Sequence, residues 1–441
     1  MSKRVSGIFK GDKVIWMVFF FLCIISAIEV FSALSSLTFK TGDYVSPMIK
    51  HIGLLLLGVF FMIVTLNIPC RYFKLATPFL IIGCFIALVW VHFFGQSING
   101  AGRWMSILGI KFQPSEIAKG TMMLATAQIL SAMQTDHGAD RHAFFYILTI
   151  WAILVPLIFL ENLSTAVLLS MTVFFMMIIG RVPAKQLLRT VGFIAVAIAI
   201  SISLVFAIGD DRNADNGNKA YTEMVARNGK VVEKKQQKSM FPRADTWKAR
   251  IKKFGNNEYV PPEKVDLDKD AQISYANIAI ASSNFIGKGP GNSEERDFLP
   301  QAYSDYIYAI IIEETGLFGA FFVAMLYVIL LYRVGIIANR CENNFPAFLV
   351  MGLGLMIVIQ ALFNMCVAVG LVPVTGQPLP LISRGGTSTV INCVYIGMIL
   401  SVSRTAKKNK VGAAKNTIAA ATIPQTADQT ADQTADNIER K

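Results

Sequence analysis

The stretch from Phe285 to Ala320, FIGKGPGNSEERDFLPQAYSDYIYAIIIEETGLFGA, decides how the chain is read. It begins as a glycine-rich loop, turns through Leu299 and Pro300, and becomes a long apolar run with Asp305 at its mouth and Glu313 and Glu314 further in. An apolar run of that length reads as a membrane span. An ionised Asp at the bilayer centre costs about 2.5–3.5 kcal/mol on insertion scales, so an ionisable group at the edge of a span is a functional candidate by default. At 100° per residue Glu313 falls about 80° round the helix from Asp305 and roughly 12 Å deeper, while Glu314 faces nearly the opposite way. Asp305 is therefore the candidate for chemistry, and the two glutamates are expected to serve helix packing or a polar network.

Outward from this span the apolar pattern recurs along the whole chain. Its 441 residues are 54% hydrophobic and only 16% charged, with a mean hydropathy of +0.51, the composition of a polytopic membrane protein. Runs near the length needed to cross a bilayer lie at Val14 to Ser35, Ile52 to Ile68, Leu75 to Phe94, Ser115 to Met133 and Phe144 to Leu160. They continue at Ser164 to Ile179, Val191 to Ile208, Tyr306 to Tyr332, Phe348 to Val369 and Thr387 to Val402. The expectation is an all-α integral membrane protein of ten transmembrane helices, with a large outer loop between spans seven and eight. The first run lacks the cleavage site of a signal peptide and is read as a retained span.

The short loops set the orientation. Lys3, Arg4, Lys10 and Lys13, then Arg71 and Lys74, Arg141, Arg181 with Lys185 and Arg189, and Arg333 with Arg340 fall in alternate loops, which the positive-inside rule makes cytoplasmic together with both termini. The chain then divides into a cytoplasmic N-terminus (1–13), spans one to seven (14–208), the large outer loop (209–305), spans eight to ten (306–403) and a disordered cytoplasmic tail (404–441) ending in the QTADQTADQTAD repeat. The net charge of +12 is largely this topology signal and needs no nucleic acid. Six cysteines at span positions and span ends indicate no disulfide framework.

The polar residues hardest to explain as topology or packing gather on the outer side: Arg103, Glu116, Lys119, Arg250, Lys288, Asp305 and Arg384. A carboxylate among cations at a membrane face suits a lipid-linked phosphate substrate with a hydroxyl to deprotonate, Asp acting as general base and the cations steadying the departing phosphate. Glu116 and Lys119 lie one helical turn apart and can pair. Gly287, Gly289 and Gly291 would let backbone approach a phosphate, although GKGPGNS lacks the order of a nucleotide-binding loop. Gly385 and Gly386 feed a helix N-terminus, a ready anion site beside Arg384, with Thr387 or Ser388 as cap. The four histidines, at 51, 92, 137 and 142, show no metal-ligand spacing, and no Ser-His-Asp set is present.

These motifs resemble the SEDS family, the FtsW/RodA/SpoVE proteins. Gly100 to Lys119 is similar to its GAxRW…QPSExxK, Gly287 to Ser293 to its GKGxGxS, Leu299 to Gly316 to its LPEAHTDFIFAxxxEELG, and Asn364 to Ser388 to its N…GLxPxTGxPLPxxSYGGSS. The resemblance implies a ten-helix peptidoglycan glycosyltransferase of the bacterial cytoplasmic membrane. It would polymerise lipid II, the undecaprenyl-pyrophosphate disaccharide peptide, with a class B penicillin-binding protein and other division proteins as partners. The only cofactor it admits is a divalent cation such as Mg2+. Asp305 carries over as the catalytic aspartate, and Arg103, Trp104, Glu116, Lys119, Lys288, Ser383, Gly385 and Gly386 as substrate-binding residues.

Several positions depart from the family pattern. Tyr303 and Ser304 replace His-Thr, which removes a histidine relay next to Asp305, and Arg384 stands where Tyr is usual. Ser283 and Asn284 replace Gly-Gly, and ENLST from Glu161 to Thr165 replaces QPDLGT. The Arg384-Gly-Gly-Thr variant is more similar to the division-type FtsW branch, acting at the septum, than to the RodA elongation branch. The competing activity is a lipid II flippase, which would call for a polar path through the bilayer and alternating access.

Overall fold

The computed structural model describes residues 10–34, 45–98, 101–107, 110–192, 267–299 and 302–421, with isolated positions 196, 200 and 203. Among them, seven helical segments are long and apolar enough to cross a membrane: α1 (Lys13–Ala33), α2 (Ser46–Asn67), α3 (Cys70–Phe94), α5 (Arg141–Glu161), α8 (Ile307–Ala338), α9 (Asn344–Ala368) and the Thr387–Ala406 part of α10 (Thr387–Ala421). Expected spans four and six are the helices α4 (Pro114–Ala132) and α6 (Leu163–Ile179), and α7 (Leu267–Ser282) precedes α8. Expected span seven, Val191 to Ile208, falls almost wholly outside the described residues, as do Arg250 and most of the large loop.

The weak apolarity of α4 has a structural cause. Thr121, Glu116 and Lys119 are all buried in it, because it is surrounded by α3, α5, α6 and α9 rather than by lipid. A helix walled in by other helices can carry polar groups provided each finds a partner. Conversely, α2 and α3 expose Leu56, Phe60, Phe79, Ile82 and Phe93, an apolar face suited to hydrocarbon. α2 packs against α10 through small residues, since a Cβ on Gly58 would meet Cys393 and one on Gly397 would meet Met62 and Thr65.

The expected helical membrane fold holds, with a small addition: Gln96–Ile98 (β1), Ala101–Ile107 (β2) and Ile110–Phe112 (β3) form a three-stranded antiparallel sheet between α3 and α4, in which Gln96 pairs with Trp104 and Met105 with Phe112. Gly102 lies inside β2, paired with Ser97. The tail also starts differently, because α10 runs on to Ala421 through an alanine-rich stretch of good helix formers where disorder is expected from residue 404. Residues 422–441 lie outside the described residues.

One end of the bundle is latched by Asp12. Its carboxylate caps α1 by accepting from Val14 N at 2.9 Å and Ile15 N at 3.3 Å, and takes Arg333 of α8 at 2.8–2.9 Å. Burial alone would raise its pKa, but the hydrogen bond and charge of Arg333, with the two N–H groups, outweigh it and hold the carboxyl below the usual carboxylate range. A depressed carboxyl pKa contributes stability that is present above the unfolded value of about 3.9 and is lost as pH falls through the folded one. Asp12→Asn keeps a capping side chain and loses the charge, so it should cost roughly 1.5–3 kcal/mol at pH 7. Thermal unfolding of both proteins at pH 7 and pH 3 checks this: the gap should shrink at low pH, and a gap independent of pH contradicts the assignment.

Candidate active site

Asp305 sits on the turn Ala302–Tyr306 that leads into α8, partly exposed, with its Oδ1 accepting a hydrogen bond from Ser304 Oγ at 2.9 Å. The turn is held residue by residue. The Tyr303 carbonyl accepts from Arg384 N at 3.0 Å, the Ser304 carbonyl from Ser383 Oγ at 2.6 Å, and the Asp305 carbonyl from Asn364 Nδ2 of α9 at 2.8 Å. Three successive carbonyls are thus tied to the segment between α9 and α10 and to α9 itself. The same segment passes so close that a Cβ on Gly376 would lie 3.3 Å from Asp305 Oδ2.

That segment is proline-rich and has no helical ladder of its own, so its backbone groups are satisfied from outside. Asn364 Nδ2 also donates to the Gln377 carbonyl at 2.7 Å, Gln360 Nε2 to the Pro378 carbonyl at 3.0 Å, and Tyr327 Oη of α8 to the Pro380 carbonyl at 2.5 Å. Ser383 Oγ accepts from Leu379 N at 2.7 Å. From the far side Gln377 Nε2 donates to Thr165 Oγ1 at 2.9 Å and to Asn162 Oδ1 at 3.4 Å. The short ENLST loop, whose role the altered motif leaves open, is therefore a mooring for the Pro-rich segment.

The expected Glu116–Lys119 pair forms, at 2.9 Å, but inside the bundle: the two side chains are 4% and 1% exposed. Lys119 Nζ also donates to Gln360 Oε1 at 2.7 Å, Ser388 Oγ donates to Glu116 Oε2 at 3.1 Å, and Tyr395 Oη donates to the Glu116 carbonyl. Both residues were expected at the polar outer end as substrate ligands. Their position behind Gln360 makes them supports of the Pro378 carbonyl. Ser388, a candidate cap for α10, is turned to Glu116, and Gly385 and Gly386 lie at the N-terminus of α10 beside Arg384.

The glycine-rich loop embraces anions that belong to the protein. α8 is broken at Gly316 (φ 69°, ψ −170°), which frees the Glu313 and Glu314 carbonyls; Lys288 N donates to the first at 2.9 Å and Gly289 N to the second at 2.8 Å. A Cβ on Gly287 would collide with the Glu314 carbonyl, which is why glycine is required there. The Glu313 carboxylate accepts from Lys288 Nζ at 2.8 Å, Ser293 Oγ at 2.5 Å and Glu294 N at 3.1 Å. The Glu314 carboxylate accepts from Gly291 N at 2.9 Å and from Ser32 Oγ, with Arg296 Nη1 3.8 Å away. Lys288, expected on substrate, is instead held between Glu313 and Glu294, and the glutamates form the polar network expected of them.

Trp104 lies half-buried in β2, and the neighbouring Arg103 has a described backbone in the same strand but no described side chain. Arg384 stacks on Tyr303, its guanidinium carbon 5.5 Å from the ring centroid. Two departures from the family pattern thus meet in one contact next to Asp305. Arg384→Tyr should retain substantial activity, since such a contact is worth about 0.5–1 kcal/mol at an exposed site. Its defect should appear as weaker lipid-substrate affinity, largest at low salt and shrinking as salt screens the contact it removes; complete loss of turnover with the fold intact would make Arg384 part of the chemistry. Among the described residues no group of three or more His, Cys, Asp or Glu side chains could hold a metal ion. A divalent cation would have Asp305 as its protein ligand and the substrate's own phosphates for the rest.

The family model FTSW_RODA_SPOVE, described as "Cell cycle protein", matches residues 12–214 and 239–408. The chain belongs to this family. Among relatives, "Peptidoglycan glycosyltransferase MrdB" of Escherichia coli (strain K12) is 26% identical over 396 residues, covering 89% of this chain and 93% of that protein. "Probable peptidoglycan glycosyltransferase FtsW" of Halomonas elongata is 28% identical over 390 residues, covering 86% and 87%. The fold is that of the Thermus thermophilus rod shape determining protein RodA (TM-score 0.60, 20% identity, 90% of this chain and 97% of that one). It is also that of a chain in a structure on "coordination of polymerization and crosslinking by a peptidoglycan synthase complex" (TM-score 0.64, 21% identity, 90% and 98%). In this FtsW/RodA/SpoVE member the third and fourth motifs meet at Asp305, while the glycine motif serves the break in α8. Asn364 and Gln377 were present in the fourth motif; their reach to Asp305 and Thr165 is not readable from spacing.

Proposed function

We propose that this protein is a peptidoglycan glycosyltransferase that polymerises lipid II into glycan strands on the outer face of the bacterial cytoplasmic membrane, with Asp305 as general base. The observation that carries the reading is the turn whose three carbonyls are fixed from two other elements while the Asp305 carboxylate stays partly exposed. A base has to sit within hydrogen-bond reach of the hydroxyl it deprotonates, and a backbone pinned at three consecutive residues holds that geometry before substrate arrives. In the reaction the acceptor hydroxyl attacks the anomeric carbon of the donor sugar as the bond to the pyrophosphate oxygen breaks. The hydroxyl proton passes to Asp305, and the lipid pyrophosphate leaves with its electron pair.

Arg103 and the N–H groups of Gly385 and Gly386 are the groups offered to the growing negative charge on the leaving group, while Arg384 tunes lipid binding beside them. A divalent cation held by Asp305 and the pyrophosphate would neutralise part of that charge. Glu116, Lys119 and Gln360 act behind this surface by fixing the Pro378 carbonyl. Both termini are cytoplasmic in this reading, the partner is a class B penicillin-binding protein, and the site of action is the division septum. The break at Gly316 is a feature a flippase would share, but its freed carbonyls are capped by the Lys288 and Gly289 N–H groups, which favours a fixed structural element over a moving gate.

Arg103→Gln tests the leaving-group assignment. Losing a charge-assisted contact that strengthens in the transition state should reduce turnover about 10- to 100-fold, corresponding to roughly 1.5–3 kcal/mol, with thermal stability nearly unchanged. Parallel loss of stability and turnover would show a structural arginine.

A further inference from the structure

The loop that holds the Asp305 turn is itself held from behind by two side chains that the chemistry does not use. Ser26 of α1 is fully buried and donates its hydroxyl to the Ile382 carbonyl at 2.7 Å. His51, near the start of α2 and only 3% exposed, places Nε2 3.0 Å from the same Ser26 Oγ. A serine hydroxyl has one proton to give. With that proton on the Ile382 carbonyl, Nε2 must be the donor in the other bond, which fixes the imidazole tautomer with its proton on Nε2.

The direction of the serine bond is informative. Hydroxyl side chains inside a helix usually turn back to the carbonyl one turn earlier, and Thr65, Thr77, Thr121 and Thr172 do so here. Ser26 instead leaves its helix for a loop carbonyl, with His51 backing it from a second helix. The residue it grips lies directly before Ser383 and Arg384, the two that hold the Ser304 and Tyr303 carbonyls. Directly ahead of it Leu381, 1% exposed, has φ +67°, a backbone conformation that a leucine keeps only when its surroundings impose it.

We infer that His51 and Ser26 are positioning residues for glycosyl transfer: the chain of bonds from His51 through Ser26 to the Ile382 carbonyl sets the loop that holds the Asp305 turn. The family's usual histidine beside the aspartate is absent, and a histidine from another helix reaches the same turn through its loop. The inference rests on the reading of Asp305 as the base.

The test is lipid II polymerisation by the purified full-length protein and its His51→Leu, His51→Gln and Ser26→Ala variants, with melting temperatures and histidine 15N spectra of the wild type. Displacing the loop by a fraction of an ångström to about 1 Å should lower kcat about 10- to 100-fold in His51→Leu and Ser26→Ala, with KM changed less than about twofold. His51→Gln, which keeps an N–H donor, should recover most of the loss, and the His51 resonance should show a protonated Nε2. Wild-type kcat in His51→Leu, no advantage of Gln over Leu, or an unprotonated Nε2 would each overturn the inference. An Asp305→Asn control separates the two claims. If it is active the base assignment fails, and if it is inactive while His51→Leu is fully active only the positioning role fails.

Discussion

Asp305→Asn should polymerise lipid II about 10²- to 10⁴-fold more slowly than the unaltered protein, the range set by removing a general base. The substitution keeps volume and can still accept the Ser304 hydroxyl, and the Asp305 backbone carbonyl remains free to accept from Asn364. Insertion, melting temperature and partner binding should therefore persist. That combination distinguishes a chemical role from a packing role. Turnover within a few-fold of the unaltered protein would remove Asp305 from the reaction, and a matching collapse in stability would mark it as structural.

The second large effect lies at the buried ion pair. Lys119→Met leaves the Glu116 carboxylate enclosed, with Ser388 as its remaining side-chain donor, and should cost about 3–5 kcal/mol of stability. Glu116→Gln combined with Lys119→Met removes both charges and should recover much of that loss, because the penalty comes from a stranded charge and not from the missing attraction. Activity should recover less than stability in the double variant. Gln360 would still lack the ammonium that orients it toward the Pro378 carbonyl. Denaturant unfolding of the single and double variants decides this: a single-variant loss below about 1 kcal/mol, or simple additivity, contradicts a buried pair.

Most of the helical framework is legible in the sequence, because an apolar run of span length has few other uses. The places where the reading goes astray are those where partners come from far along the chain. Gly287, Gly289 and Gly291 announce a close approach of backbone to something; that the partner is the break in α8 depends on Gly316 and the Glu313 and Glu314 carbonyls, a tertiary pairing with no local signature. Lys119 looks like an outer cation until four other helices close round its own. The strands β1 and β3, of three residues each, are too short for alternation to show. Asp305 stands out in the sequence as a candidate because an ionisable group at the edge of an apolar span is a functional candidate by default. The contribution of His51 and Ser26 does not, since an isolated serine and histidine in two apolar helices carry no spacing that links them.

The central claim is that this protein joins lipid-linked sugars rather than transporting or merely scaffolding them. Purified protein reconstituted in lipid vesicles with lipid II, with and without a class B penicillin-binding protein, tests it most directly by following glycan chain length and release of the polyprenyl pyrophosphate together. The expected result is chains of many disaccharides and one lipid pyrophosphate released per bond formed, abolished in Asp305→Asn. Lipid II that crosses the vesicle membrane without forming any chain, in the presence of the partner, would contradict it.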